Sequence, residues 1–183
     1  MSLKLNLRQR LRSSHVKRFH IVETTKTQTV AEHSFNVALI AEEIATLLKE
    51  DVWIDDIIQY AIHHDVPEVG LGDLPTSLKH VFGREELDKV EELSKEMDPE
   101  SNTNYDTVRL IVKLADLMDS IVFLAQHGVG THAKMVRGKI ITEASRVIGE
   151  FMEPHQGILS DMLVDVTRWD TSDDTREGVL WNQ

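Results

Sequence analysis

Residues 29–50, TVAEHSFNVALIAEEIATLLKE, place Thr29 and Glu32 at the spacing of a capping box. His33, Val37, Ile40, Ala41, Ile44, Leu47 and Leu48 follow at helical intervals. A threonine hydroxyl and a glutamate carboxylate three residues on satisfy reciprocal backbone donors, and the apolar stripe behind them needs a partner surface. The stretch therefore predicts an amphipathic helix with one anomaly, an imidazole on its inward face.

The same period recurs along the chain. Spacing predicts a second helix from about Asp55 to Val66, ended by Pro67, because the residue before proline is biased out of the α region. A third runs from Asp106 as N-cap through TVRLIVKLADLMDSIVFLAQH to Gly128, a suitable C′ residue. Helical patterns also fit residues 84–97 and about 133–152, whereas the tail from TRWDTSDDTREG onward is polar apart from Trp169 and Trp181. With no alternating strand pattern, internal repeat or linker, the expected architecture is an all-α, single-domain helical bundle spanning residues 1–183.

Composition narrows the function. The chain has 31 acids against 20 bases, a net charge of −11, and no cysteine. That balance opposes binding of long nucleic acids. No apolar run approaches the roughly 20 residues of a membrane span, and no apolar segment follows the start, so the expected location is cytoplasmic, or host cytoplasm for a phage-encoded chain. The first 22 residues differ: Lys4, Arg8, Arg10, Arg12, Lys17 and Arg18 occur there without an acid. Most of these are expected on a solvated helix face laid over Leu3, Leu5, Leu7 and Leu11, with Arg18 set apart for a small polyanion.

The decisive residues interrupt apolar faces. His64 and Asp65, in AIHHDVPEVGLGDLP (61–75), share the buried face of Ile57 and Ala61, and Asp116 lies inside the most hydrophobic helix. Each alone has a bland reading as a hydrogen-bonded core group or helix cap. Together, two imidazoles and two carboxylates on inward faces of three helices suit a divalent first-row metal, since buried acids are disfavoured unless paired or bound to a cation. Zinc, cobalt or manganese fit this donor set best, then iron; magnesium prefers all-oxygen shells. His63, about 100° away around its helix, is placed outside the group.

His33, then His64-Asp65 after 30 residues, then Asp116 after 50 more, resembles the H…HD…D signature of HD-domain metal-dependent phosphohydrolases. RFH, TVAEHS, HHDVPEVGLGDLPT and KLADLMDS narrow the resemblance, over about residues 8–127, to bacterial 5′-deoxyribonucleotidases of the YfbR type and compact phage dATP triphosphohydrolases of the DatZ type. The short interval between Asp65 and Asp116 is closer to the phage enzymes. The resemblance implies His33, His64, Asp65 and Asp116 as metal ligands, Glu68 and Asp73 as the carboxylates handling water and proton transfer, and Arg18 as a substrate-binding arginine. Phe19 stands where the bacterial nucleotidases carry tryptophan and keeps a ring face for a base. His20 and Ile21 are candidates to line the base or sugar pocket, and Lys79 and Lys113 to join Arg18 on phosphate. For the two lysines an exposed helix position is nearly as good a reading.

Phosphate ester hydrolysis needs an activated water, compensation for phosphoryl charge and a proton for the leaving oxygen. Glu68 is expected to orient or deprotonate water and Asp73 to assist proton transfer, in either order. The expected activity is metal-dependent deoxynucleotide hydrolysis, preferentially release of triphosphate from dATP, with dephosphorylation of deoxynucleoside monophosphates as the alternative. A metal-stabilised nucleotide-binding regulatory module is the alternative of another class; an extra pair of acids beside a merely structural metal argues against it. An alarmone hydrolase would bring more domain material, and no Gly-Tyr-Pro follows the HD pair as in cyclic dinucleotide phosphodiesterases. The resemblance also implies a homo-oligomer; Phe151 and Met152 are equally suited to an interface or to the core.

Overall fold

The capping box forms as the sequence predicts: Thr29 Oγ1 accepts from the Glu32 amide at 3.2 Å, and Glu32 Oε2 accepts from the Thr29 amide at 2.9 Å. This geometry comes from a computed structural model describing residues 3–49, 54–73, 82–103 and 105–168. The described helices are α1 (Leu7–Arg10), α2 (Val30–Leu48), α3 (Ile54–His63), α4 (Glu68–Leu71), α5 (Arg84–Met97), α6 (Asp106–His127), α7 (Gly130–Ile148) and α8 (Glu153–Thr167). Short 3₁₀ turns at Leu11–His15 and Pro99–Ser101 complete the helical elements, and the two isolated bridges, Lys17 to Thr29 and Thr24 to Gly128, make no sheet.

Helix α6 is the axis of the core. Its Ile111, Leu114, Met118 and Ile121 are fully buried, against Val37, Ala41 and Ile44 of α2, Ile57 and Ala61 of α3, Ala144 and Val147 of α7, and Leu159 of α8. Each large aliphatic side chain so buried contributes about 1.5–3 kcal/mol of transfer free energy. Helices α2 and α3 both pack on α6, so inward groups on all three meet at one end of this core. None of the helices among the described residues is long and apolar enough to cross a membrane.

Several boundaries differ from the sequence expectation. Helix α3 ends at His63, not Val66. A proline ring lacks the donor and clashes with the carbonyl four residues earlier, so Pro67 disturbs the helix back to His63. The chain turns there, with Val66 N–H donating to His63 O at 3.0 Å, and Pro67 becomes the N-cap of α4. Asp106 is the first residue of α6, not its cap, which is Tyr105. Gly128 ends α6 in an extended conformation instead of a left-handed one; its lack of a side chain is needed because a Cβ would sit 2.6 Å from Leu124 O and 2.9 Å from Ala133 Cβ.

The expected helix over residues 133–152 starts earlier, at Gly130, and stops at Ile148. A separate helix, α8, then begins at Glu153-Pro154, a start signal left unread in the sequence. Phe151 closes the core at 6% exposure while Met152 is 65% exposed. The N-terminal basic segment is not one helix over four leucines. Only Leu5 is buried, its amide donating to Met97 O at 2.8 Å, and Leu3, Leu7 and Leu11 are exposed. Trp53, Lys79, Trp169 and Trp181 lie outside the described residues.

Candidate metal centre

His33 begins the second turn of α2 and is fully buried. A carboxylate only accepts, so the 2.6 Å contact between His33 Nδ1 and Asp119 Oδ2 puts the proton on Nδ1 and turns Nε2 toward Asp116 Oδ1 at 3.3 Å and Asp65 Oδ2 at 3.5 Å. His64 is fixed in the same sense. Its Nδ1 donates to Ala61 O at 2.7 Å, leaving Nε2 facing Asp65 Oδ2 at 3.4 Å. The two rings lie 5.4 Å apart by centroid. One donor atom each of His33, His64 and Asp116 lies within 4.8 Å of the others. The turn after α3, the entry of α2 and the middle of α6 thus supply one cluster.

The buried Nε2 atoms of both histidines have no hydrogen-bond partner. Two inward nitrogen lone pairs beside two carboxylates fit a divalent cation, with Asp65 completing the set. The electrostatics agree. Burial holds the His64 ring below its ordinary pKa, with His33 adding to the depression. Burial works against ionisation of Asp116, yet Lys113, His33 and Arg18 hold it well below the usual carboxylate range, and His64, His33 and Arg18 hold Asp65 below it too. His33 is raised: burial and Arg18 oppose its charge, but the adjacent Asp116 and Asp119 carboxylates outweigh them.

Arg18 precedes α2 and bridges its start to α6. Its Nη2 donates to Asp116 Oδ1 at 3.3 Å and its Nη1 to Gln28 Oε1 at 3.2 Å. Burial lowers its affinity for the proton, but Asp116, Asp65, Asp119 and Glu68 raise it further, so it stays charged and Glu68 lies within its electrostatic reach. Lys113 Nζ donates to the other Asp116 oxygen at 3.1 Å. Asp73 follows Gly72, whose φ of +78° favours glycine, and sits 3.6 Å from His20 Nδ1. Phe19 stacks on Phe123 at 5.3 Å and lies under the Arg18 guanidinium, packing that holds its unusual φ of +54°. Ile21 is 55% exposed.

Sequence reasoning missed the support behind His33. Asp119 is buried and accepts from Gln28 Nε2 and Asn36 Nδ2, each at 2.8 Å, besides His33. A signal was present: Asn36 and Asp119 lie one helical turn beyond His33 and Asp116, on the same faces. A cavity of about 380 Å³ is lined by Asp56, Gln59, Tyr60, Glu100 and Tyr105, and the Tyr60 ring lies 6.5 Å from that of His64.

Comparison with known proteins gives consistent relatives. A family model for 5′-deoxynucleotidase YfbR-like proteins matches residues 7–123. The dATP triphosphohydrolase of Cyanophage S-2L is 31% identical over 147 residues, covering 75% of this chain and 80% of that protein. The 5′-deoxynucleotidase YfbR of Escherichia coli is 33% identical over 69 residues, covering 36% of this chain and 35% of its own length. The structure of the Cyanophage S-2L HD phosphohydrolase DatZ, bound to dA and one catalytic Zn²⁺ ion, shares the fold with a TM-score of 0.82 at 24% identity, covering 90% of this chain and 97% of that one. The chain belongs to the YfbR-like family of HD phosphohydrolases, all-α hydrolases acting on deoxynucleotides.

Proposed function

We propose that this protein is a metal-dependent deoxynucleoside triphosphate triphosphohydrolase with dATP as its preferred substrate. What carries the reading is the convergence of His33, His64 and Asp116, with Asp65 within 3.5 Å of both imidazole Nε2 atoms, which are buried and without a hydrogen-bond partner. What favours triphosphate over monophosphate is the reach of the likeness: 147 residues to the phage dATP triphosphohydrolase against 69 to the bacterial 5′-deoxynucleotidase. The monophosphate reading is the second one, supported by the family model. The regulatory-module reading has no comparable support.

In the proposed reaction water adds to the α-phosphorus, the bond to the deoxyribose 5′-oxygen breaks, and deoxyadenosine and triphosphate leave. His33, His64, Asp65 and Asp116 would hold the cation, zinc, cobalt or manganese ahead of iron or magnesium; when bound it supplies Lewis-acid charge and lowers the pKa of water. Arg18, charged and already turned toward the acids, holds phosphate oxygens, with Lys113 beside it. Lys79 keeps the same proposed role. Glu68, at the start of α4, orients or deprotonates the attacking water; Asp73, with His20 at 3.6 Å, delivers a proton to the leaving oxygen. Phe19 and Ile21 face the nucleoside.

The proposed setting is the cytoplasm, host cytoplasm for a phage-borne chain, and the proposed form a homo-oligomer of single-domain subunits, supported by the exposed Leu3, Leu7 and Leu11. The test of function is a panel of ribo- and deoxynucleotides given to the metal-replete protein, with products identified by mass. Deoxyadenosine and triphosphate in equal amounts from dATP are expected. Pyrophosphate with dAMP, or turnover of dAMP alone, would reject the reading.

A further inference from the structure

One residue before His64, His63 faces a different set of acids. Its Nδ1 is 2.7 Å from Asp98 Oδ2, and Asp98, between α5 and the Pro99–Ser101 turn, has a side chain only 1% exposed. Glu100 lies alongside. One donor atom from each of His63, Asp98 and Glu100 falls within 4.8 Å of the other two. Two cations act on the group: Arg10 of α1, with Nη1 3.7 Å from Asp98 Oδ1, beyond hydrogen-bond distance, and Lys4, which with Arg10 favours the charged form of Glu100.

Three buried atoms of this group have no hydrogen-bond partner: Asp98 Oδ1, Glu100 Oε2 and Arg10 Nε. The same sign, a buried polar atom without a hydrogen-bond partner, marks Nε2 of His33 and of His64. Burying polar atoms without partners is costly, so a cluster of them calls for an occupant. Glu100 also lines the cavity of about 380 Å³.

We propose that His63, Asp98 and Glu100 form a second divalent-cation site, separate from the group around His33 and independent of the reaction assigned to it. One imidazole nitrogen and two carboxylates suit zinc or a similar first-row ion, with water filling the remaining positions; magnesium and calcium would favour all-oxygen shells. The ion neutralises both acids and releases Arg10 from a poorly made contact. It ties the end of α3 to the 98–101 turn.

The test is zinc-soaked crystals of the full-length protein measured across the zinc edge, alongside zinc titrations of wild type and Glu100→Gln. The wild type is expected to show an anomalous peak bonded to His63, Asp98 and Glu100. Glu100→Gln is expected to lose that peak, one zinc equivalent and part of the zinc-induced rise in Tm, while deoxynucleotide turnover is unchanged. Zinc at the His33 group with none between these three residues would overturn the proposal, as would Glu100→Gln retaining zinc there. A peak here with none at the His33 group would instead count against the proposed hydrolase centre. Should the variant fail to fold, the wild-type map alone decides.

Discussion

Asp119 Oδ2 lies 2.6 Å from His33 Nδ1, and this contact decides which ring nitrogen is free for a metal. The acid is not one of the four candidate ligands. It sets a tautomer, while Gln28 and Asn36 fix the acid in turn.

Asp119→Asn should therefore weaken metal binding with the fold intact. Partners of metal-bound histidines are worth roughly 10–100-fold in affinity. The metal Kd, read by competition with a chelator, is expected to rise by that factor, with turnover restored in part by excess metal. An unchanged Kd would show that His33 needs no orienting acid.

Arg18→Lys keeps the charge and loses the fork that now spans Gln28 and Asp116. A charge-assisted hydrogen bond contributes about 1.5–3 kcal/mol, so kcat/KM for dATP should fall on the order of 10–100-fold. The effect should grow with the number of phosphates on the substrate. Equal losses for nucleotides of one, two and three phosphates would place Arg18 away from the phosphate chain.

The metal-free protein should show opposite pH behaviour on either side of about 6.5. His33 is raised above its ordinary 6.5, so the stability it contributes is present below that value and lost as pH climbs through its folded pKa. His64 is held below 6.5 by burial; its contribution is present above 6.5 and lost as pH falls through its folded value. Added metal replaces the His33 proton, so the gain in Tm on adding metal should increase with pH above 6.5. Melting curves with chelator and with zinc read this directly, and a pH-independent gain would contradict it.

Gly128→Ala tests a packing claim. The new methyl would press on Leu124 O and Ala133 Cβ, where α6 meets the segment held by the Thr24 bridge. Overpacking of this kind costs about 1–3 kcal/mol. Tm should drop by several degrees, read by calorimetry; an unchanged Tm would mean the contact relaxes freely.

Much of the fold was legible because its signals are local. Thr29, Glu32 and the stripe behind them report only on their own helix, and α2 begins where they place it. The end of α3 was misread because the reach of Pro67 back to the His63 carbonyl was not counted. The metal group was legible because buried His and Asp conflict with apolar faces. Asp119, three residues after Asp116, produced the same conflict, yet its partner His33 is 86 residues away and only packing brings them together. The exposed Leu3, Leu7 and Leu11 were likewise misplaced, since a leucine pattern alone does not say which surface covers it.

The most direct test of four convergent ligands driving phosphate release is removal and return of metal. Chelator-stripped wild type should lose dATP turnover and regain it with zinc, cobalt or manganese, whereas Asp116→Asn, still folded by circular dichroism, should regain at most a small fraction. Full turnover by the stripped protein, or full rescue of Asp116→Asn at the wild-type metal concentration, would contradict a metal held by His33, His64, Asp65 and Asp116.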